Sequence, residues 1–345
     1  GGGRDGPREP PIIIPGRTDV ARDPLCTVTA RNVPFRATEA DIVHYFSQAG
    51  KVVNVVRTAN AEGRLNSWVA VQFEDRPGAE KALQLHGTDF MGRPITVDPA
   101  THSGRKPSVA AGVPVDGCWF CLGSASVDLS LVASVGEDAY VALDKGAIND
   151  THVLVVPVDH FPSSASLSPP AHMEVERYLS ALRACYAAQG LQLVAFERHL
   201  TLKSKGGNHC HINAIGISAD AAAKAKEVFQ AHTQRAGYSL TELPATPGAG
   251  GTTTDNASAA SAHAALCSAV GDSEYFLALL ADGTRLVRPI MRGERWPLSL
   301  GREVLAELAG CPERADWKTC AVPPEQEEAR TARFKEMFAP YDIMQ

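Results

Sequence analysis

The stretch Asn208-His209-Cys210-His211-Ile212-Asn213-Ala214-Ile215-Gly216 decides how this chain is read. Two histidines alternate with Cys210 and Ile212 before the run turns apolar. At a strand's period of two, His209, His211 and Asn213 share one face. An imidazole held in such a row acts as nucleophile, general base or metal ligand. The same letters also fit an ordinary edge strand with two solvated histidines, so residues elsewhere in the chain must choose between the readings.

Upstream, Cys118 and Cys121 form a Cys-x-x-Cys pair. Two thiolates at that spacing occupy two corners of a tetrahedral zinc site, and two histidines complete it. His160 ends a short β-branched strand just after Pro157, and His209 opens the histidine strand. Both would have to fold back against the cysteine loop. Without them, the pair reads as two small buried apolar residues. The Gly-rich loop before the histidines carries Lys203, Lys205 and Asn208, whose donors suit phosphate oxygens. The remaining histidines, His44, His86, His102, His172, His199, His232 and His263, have no comparable context and read as solvated or incidental.

The chain has 345 residues, a formal net charge of −6 and eight cysteines. That length allows two or three domains. No apolar run is long enough to span a bilayer, no signal peptide opens the chain, and scattered cysteines argue against a secreted disulfide framework. A reducing compartment fits best. The predicted class is α+β and multidomain. Residues 1–24, rich in Gly, Pro and Arg, read as a flexible leader or the cut end of a longer protein. Residues 25–99 form a first domain, 100–116 a linker and 117–240 a second domain. Residues 241–273 read as a flexible insertion of Gly, Thr, Ala and Ser, and 274–345 as a small α+β domain packed on the second. Its hairpin turns at Asp282-Gly283, and Trp296, Trp317, Phe334 and Phe338 read as core anchors.

In the first domain, strand-like Cys26–Ala30 precedes a helix opened by Thr38 and Asp41, a capping-box pair. Strands at 52–56 and 67–73, a helix at 77–85 and a strand at 92–97 complete βαββαβ, the order of a ferredoxin-like sandwich. With Val28-Thr29-Ala30-Arg31-Asn32-Val33 and Asn66-Ser67-Trp68-Val69-Ala70-Val71-Gln72-Phe73, this unit resembles an RNA-recognition motif (RRM). Such sheets stack bases of single-stranded RNA on exposed aromatics. Thr29 and Ala70 stand where the family keeps aromatics, which leaves Trp68 as platform beside Arg31 and Asn32. Phe73 reads as core. A protein-docking role is the alternative.

The combination of Cys-x-x-Cys, Asp150-Thr151-His152-Val153-Leu154-Val155-Val156-Pro157 and His209-x-His211 resembles the histidine-triad (HIT) superfamily. That resemblance implies zinc on Cys118, Cys121, His160 and His209, His211 as nucleophile toward a nucleotide phosphate, and His152 beside it. Asn213 departs from the third histidine; it keeps hydrogen bonding but not proton handling. Farther on, Trp296-Pro297-Leu298-Ser299-Leu300-Gly301-Arg302-Glu303, Asp316-Trp317-Lys318-Thr319-Cys320 and the closing Phe334-Lys335-Glu336-Met337-Phe338 are similar to the CwfJ-type splicing-associated family. The resemblance implies a nuclear RNA-processing factor of the late spliceosome or of lariat-intron turnover. Its partners would be intron or lariat RNA and spliceosomal proteins or the lariat debranching enzyme, with no membrane. The alternatives are a zinc-containing HIT-type nucleotidyl hydrolase or transferase, and a non-catalytic protein-interaction scaffold. Read from the residues alone, Arg302 and Glu303 form a helix-start ion pair, and Lys318 and Arg302 are candidate contacts for RNA phosphate.

Overall fold

The computed structural model describes residues 12–14, 16–17, 19–20, 22–59, 65–100, 114–201, 207–244, 256–291 and 294–344. It divides into two compact units, 1–103 with 290–295, and 104–289 with 296–345. Much of the expected linker, the turn at 60–63, His102, Lys203 and Lys205 lie outside the described residues.

In the first unit, β1 (Ile12–Ile14), β2 (Thr27–Arg31), β3 (Val52–Ala59), β4 (Leu65–Phe73) and β7 (Thr96–Pro99) form an antiparallel sheet in the order β1-β3-β4-β2-β7. A small hairpin, β5 (Asp89–Phe90) and β6 (Arg93–Pro94), precedes β7. Helices α1 (Glu39–Phe46) and α2 (Arg76–Ala82) cover one face. The core joins Val28, Ala30, Val69, Val71 and Phe73 of the sheet to Ile42, Phe46, Ala79 and Ala82. The predicted capping box is present: Asp41 N–H donates to Thr38 Oγ1 at 3.2 Å and Thr38 N–H to Asp41 Oδ2 at 2.8 Å. The segment read as a flexible leader instead supplies β1, which pairs Ile12 with Ala59 and Ile14 with Arg57. Three consecutive β-branched residues favour extended backbone, and the open edge of β3 offers the hydrogen bonds.

The second unit is built on one eight-stranded sheet. Its strands are β8 (Val132–Val135), β9 (Ala139–Leu143), β10 (Val153–Pro157), β11 (Leu191–His199), β12 (Ile212–Ser218), β13 (Thr241–Glu242), β14 (Glu274–Leu279) and β15 (Arg285–Ile290). Their order is β13-β15-β14-β11-β12-β10-β9-β8. Around it lie α3 (Pro169–Ala188), α4 (Ala219–Ala223), α5 (Ala225–Arg235), α6 (Asn256–Val270), α7 (Leu300–Leu308), α8 (Trp317–Cys320) and α9 (Pro324–Phe338).

The C-terminal hairpin β14–β15 joins the sheet of the second unit: β11 pairs with β12 on one side and β14 on the other, so the sheet runs on without a break. Leu193–Phe196 is buried, and a buried strand needs ladder partners on both edges. The supposed flexible insertion carries α6, whose Ala259, Ala262, Leu266 and Ala269 are buried. Small side chains let it approach α3 closely: His172 Nε2 donates to Ala259 O at 3.0 Å, and the His172 and His263 rings stack at 4.3 Å. His172 is therefore a buried packing residue, not a solvated one. Alanine-rich composition had mimicked a linker although alanine is the strongest helix former.

The predicted anchors Trp296, Phe334 and Phe338 are buried, whereas Trp317 is 38% exposed. The helix-start pair of Arg302 and Glu303 does not form. Glu303 accepts from Ser299 Oγ, and Arg302 binds Asp144 and the carbonyls of Gly146 and Ala315, so its guanidinium is committed inside the fold. Gly301 has no room for a side chain, because a Cβ there would sit 2.4 Å from the Phe196 ring; α7 thus lies directly on β11.

Candidate metal and phosphate site

The backbone of 208–211 is not strand; β12 starts only at Ile212. Cys210 N–H donates to Phe161 O at 2.7 Å, and the Asn208 amide donates to Pro162 O at 2.7 Å. These bonds dock the segment on the turn after His160, so the expected period of two does not govern His209 and His211. Asn208 thereby spends an amide hydrogen on structure.

The same docking closes the cysteine loop. Cys118 Sγ lies 3.5 Å from His209 Nδ1, and Cys121 Sγ lies 3.3 Å from His160 Nδ1 and 3.5 Å from His209 Nδ1. All four ligand atoms fall within 4.8 Å of one another. A tetrahedral ion bonded at about 2.3 Å to sulfur and about 2.0 Å to nitrogen spaces such ligands about 3.5 Å apart. The Cys118–His209, Cys121–His160 and Cys121–His209 pairs already match that spacing, so the donor set suits a metal ion. His209 Nε2 lies 2.9 Å from Pro157 O, which only accepts, so the proton sits there and Nδ1 keeps its lone pair for the ion. Burial opposes ionisation of Cys118, yet the neighbouring His160 and His209 and the Phe120 N–H outweigh it and lower the thiol pKa. Burial first, and then the charge of Cys118, push Cys121 the other way. All eight cysteines are free of disulfides.

Beside the cluster stands His211. Its Nδ1 donates to His209 O at 2.8 Å, leaving Nε2 with a free lone pair. Phe120 of the cysteine loop stacks on the ring at 4.6 Å and 18°, and Tyr140 OH anchors the Phe120 carbonyl at 2.7 Å. Burial lowers the His211 pKa to about 4, so the ring is neutral at pH 7. His152 is fully buried. Ile148 N–H donates to its Nδ1 at 3.2 Å, and Asp144 Oδ2 lies 3.5 Å from the same atom. The hydrogen is therefore on Nε2, which has no acceptor among the described residues, although the Asn213 side chain acts on the ring. Asn213 is buried on β12, opposite Leu154. An acceptor nitrogen on a neutral ring suits a hydroxyl or N–H donor of a bound nucleotide, such as a ribose 2′-OH.

Burial, helped by Arg302 and opposed by Asp144, lowers the His152 pKa to about 4 from 6.5. A histidine held neutral contributes stability that is complete above about pH 6.5 and is lost as pH falls toward 4. The loss amounts to roughly 3 kcal/mol below both values. His152→Gln is expected to remove close to one proton from the uptake on unfolding near pH 5, flattening the stability slope there by roughly 1 kcal/mol per pH unit. Urea unfolding across pH 4–7 measures it, and an unchanged slope rejects the assignment.

Sequence reading missed a third group. Glu197 on β11 is buried and accepts from Ser164 N–H at 2.8 Å, Tyr275 OH at 2.8 Å, Ser164 Oγ and, at 3.5 Å, Cys210 Sγ. Four donors satisfy the carboxylate and tie Cys210, between the two site histidines, to β14. A glutamate directly after the apolar stretch Leu193–Phe196 was the available signal.

In the first unit, Arg31 pairs with Asp98, and the Asn32 amide donates to Pro94 O at 2.9 Å. Trp68 on β4 is half-buried. Thr29 and Ala70 sit opposite each other in the central strands, and Phe73 is core as expected.

An RRM-type sandwich and a large α+β unit with a paired Cys/His cluster beside a neutral histidine recess define the class. Family models match accordingly: an RNA recognition motif over 28–96, "Protein similar to CwfJ C-terminal" over 106–230 and "Protein similar to CwfJ C-terminus 2" over 256–343. The chain is a CwfJ-type protein over its C-terminal two-thirds, preceded by an RNA recognition motif. Relatives include zinc finger CCCH domain-containing protein 64 of Arabidopsis thaliana, 34% identical over 70% of this chain and 38% of that one. CWF19-like protein 1 of Xenopus laevis is 35% identical over 67% and 39%, and that of Homo sapiens 33% over 66% and 38%. The chain thus spans about two-fifths of these relatives. Among solved structures, the Rna15 RRM with bound RNA is 23% identical and aligns over 22% of this chain and 84% of that one, at a TM-score of 0.21. Among the described residues no helix is long and apolar enough to cross a membrane.

Proposed function

We propose that this chain is a nuclear RNA-processing factor of the late spliceosome or of lariat-intron turnover. Its partners are intron or lariat RNA and spliceosomal proteins or the lariat debranching enzyme. The observation that carries this reading is the His211 ring, half-buried under Phe120 beside the Cys/His cluster, with its Nε2 lone pair free to accept from a ribose hydroxyl or a base N–H. Zinc held by Cys118, Cys121, His160 and His209 supplies a fixed cross-link that keeps the recess in shape. Lys203 and Lys205 precede the recess in sequence and provide the phosphate charge. Crosslinking the full chain to single-stranded intron RNA and mapping the contacts tests it. Adducts are expected near His211 and in the cysteine loop, and their absence from the second unit overturns the proposal.

The enzyme reading has one specific observation in its favour. The bond from His211 Nδ1 to His209 O orients the ring as a nucleophile, with the neutral form already populated. Against it, Asn213 fills the third position and cannot exchange a proton. With an adenylated conjugate, the expected result is binding without a trapped intermediate. A covalent nucleotidyl-histidine that disappears in His211→Ala would favour catalysis instead.

A further inference from the structure

The sheet face of the first unit is poorly equipped to bind bases. Val55 faces the core, so its neighbour Asn54 faces the other side of the sheet. Arg17 N–H donates to Asn54 Oδ1 at 2.9 Å, and Asn54 Nδ2 donates to Arg17 O at 3.3 Å, so the Asn54 amide is spent on the chain that continues the β1 register along the β3 edge. Thr27, Asn54, Ala70 and Gln72 are all buried, and Trp68 is half-buried.

The exposed aromatic surface lies elsewhere. Among the described residues of this unit, the exposed large apolar side chains are Phe35, at 59%, and Met91, at 37%. They stand on different loops, which two arginines link. Arg93 sits with its guanidinium carbon 5.9 Å from the Phe35 ring centre, and Arg36 Nη2 donates to Met91 O at 3.2 Å. The two loops hold left-handed backbone at non-glycine residues, φ 63° at Asn32 and 52° at Met91. Such backbone costs on the order of 1 kcal/mol per residue or more and persists only where the surroundings enforce it. Here the Asn32 amide donates to Pro94 O, and Gly92 N–H donates to Asp89 Oδ1 at 3.0 Å. The result is an exposed ring with the Arg93 guanidinium over it and the Arg36 guanidinium held at the adjoining loop.

We propose that this loop cluster, and not the sheet face, is where the first unit holds single-stranded RNA: an unpaired base stacks on Phe35, with Met91 against its edge, and Arg36 and Arg93 meet the adjacent phosphates. A ring with adjoining cations matches a base joined to phosphates, since stacking tolerates any base and the cations track the backbone. The inference rests on the RNA-binding reading above.

The test is a fluorescence-anisotropy titration of the full chain with a labelled, unstructured RNA of about a dozen nucleotides. Variants are compared with the wild type and again in the His211→Ala background, so that the second unit does not mask the difference. Phe35→Ala is expected to weaken binding about tenfold. Arg36→Ala and Arg93→Ala should each weaken it severalfold and reduce the salt slope by about 0.7. Trp68→Ala should change affinity less than about twofold, against the tenfold of a stacking base. These loop side chains are exposed, so unchanged thermal melting serves as the folding control. If the wild type binds and Phe35→Ala binds equally well, the cluster is not the RNA contact and the inference falls while the RNA reading stands. A larger loss in Trp68→Ala than in Phe35→Ala returns the contact to the sheet. If the wild type binds no RNA, the RNA reading fails and takes the inference with it, leaving a protein ligand for the cluster.

Discussion

Cys118→Ser is expected to strip the metal from this chain, from about one zinc per chain to a small fraction, and to lower stability by about 3 kcal/mol. A structural zinc contributes about 10 kcal/mol or more to a finger peptide that has no other core. The second unit here has its own extensive core, so only part of that amount should be felt. The effect is local before it is global. Cys118 and Cys121 bracket Trp119 and Phe120, and Phe120 stacks on His211, so losing the clamp should loosen the recess wall as well. Elemental analysis, thermal unfolding and limited proteolysis near residue 118 read the three consequences. Cys26→Ser, in the first unit, should leave metal content unchanged. A wild-type chain that neither carries nor takes up zinc would remove the metal from this account.

Arg285→Ala should cost about 3–5 kcal/mol. Arg285 Nη2 donates to both oxygens of Glu176, at 2.8 and 3.0 Å, and the two side chains are only 9% and 6% exposed. Removing the arginine leaves a carboxylate on α3 in a nearly dry interior. Burial raises the Glu176 pKa, but Arg285 most, then His172 and Arg183, hold it below the usual carboxylate value. The pair's contribution is therefore present above about pH 4.5 and lost as pH falls through the depressed value. Replacing both partners together, Glu176→Met with Arg285→Met, should recover only part of the loss, because buried Arg183 then loses the carboxylate that faces it. Urea unfolding at pH 7 separates these cases. A single variant as stable as wild type would mean that water reaches the pair.

The pair also shows where sequence reading ends. Glu176 lies on α3, and Arg285 on a strand of the hairpin read from its Asp282-Gly283 turn, yet no local pattern says that the two meet. The meeting of Cys118, Cys121, His160 and His209 was legible as a candidate metal site because cysteine pairs and histidines after short strands have few other uses. The conformation of 208–211 was not. It follows from the Cys210 and Asn208 bonds to Phe161 and Pro162, made with a turn nearly fifty residues away. Arg302 looked like a surface cation, but its partners Asp144 and Gly146 lie about 160 residues earlier. Helix α6 was concealed by a composition shared between linkers and helices.

By itself, the sequence determined the elements and the donor types: the βαββαβ order, the strands of the second unit, the Cys-x-x-Cys, the histidines and Asn213. These depend on local propensity, periodicity and the chemistry of each side chain, all carried within a few residues. Only the tertiary structure decided that β14 continues the same sheet, that Glu197 holds Cys210 to it, that His152 keeps an unmet donor, and that Phe35 and Met91 come together. Each of those depends on which groups far apart in sequence exclude water from one another, and no local pattern encodes that.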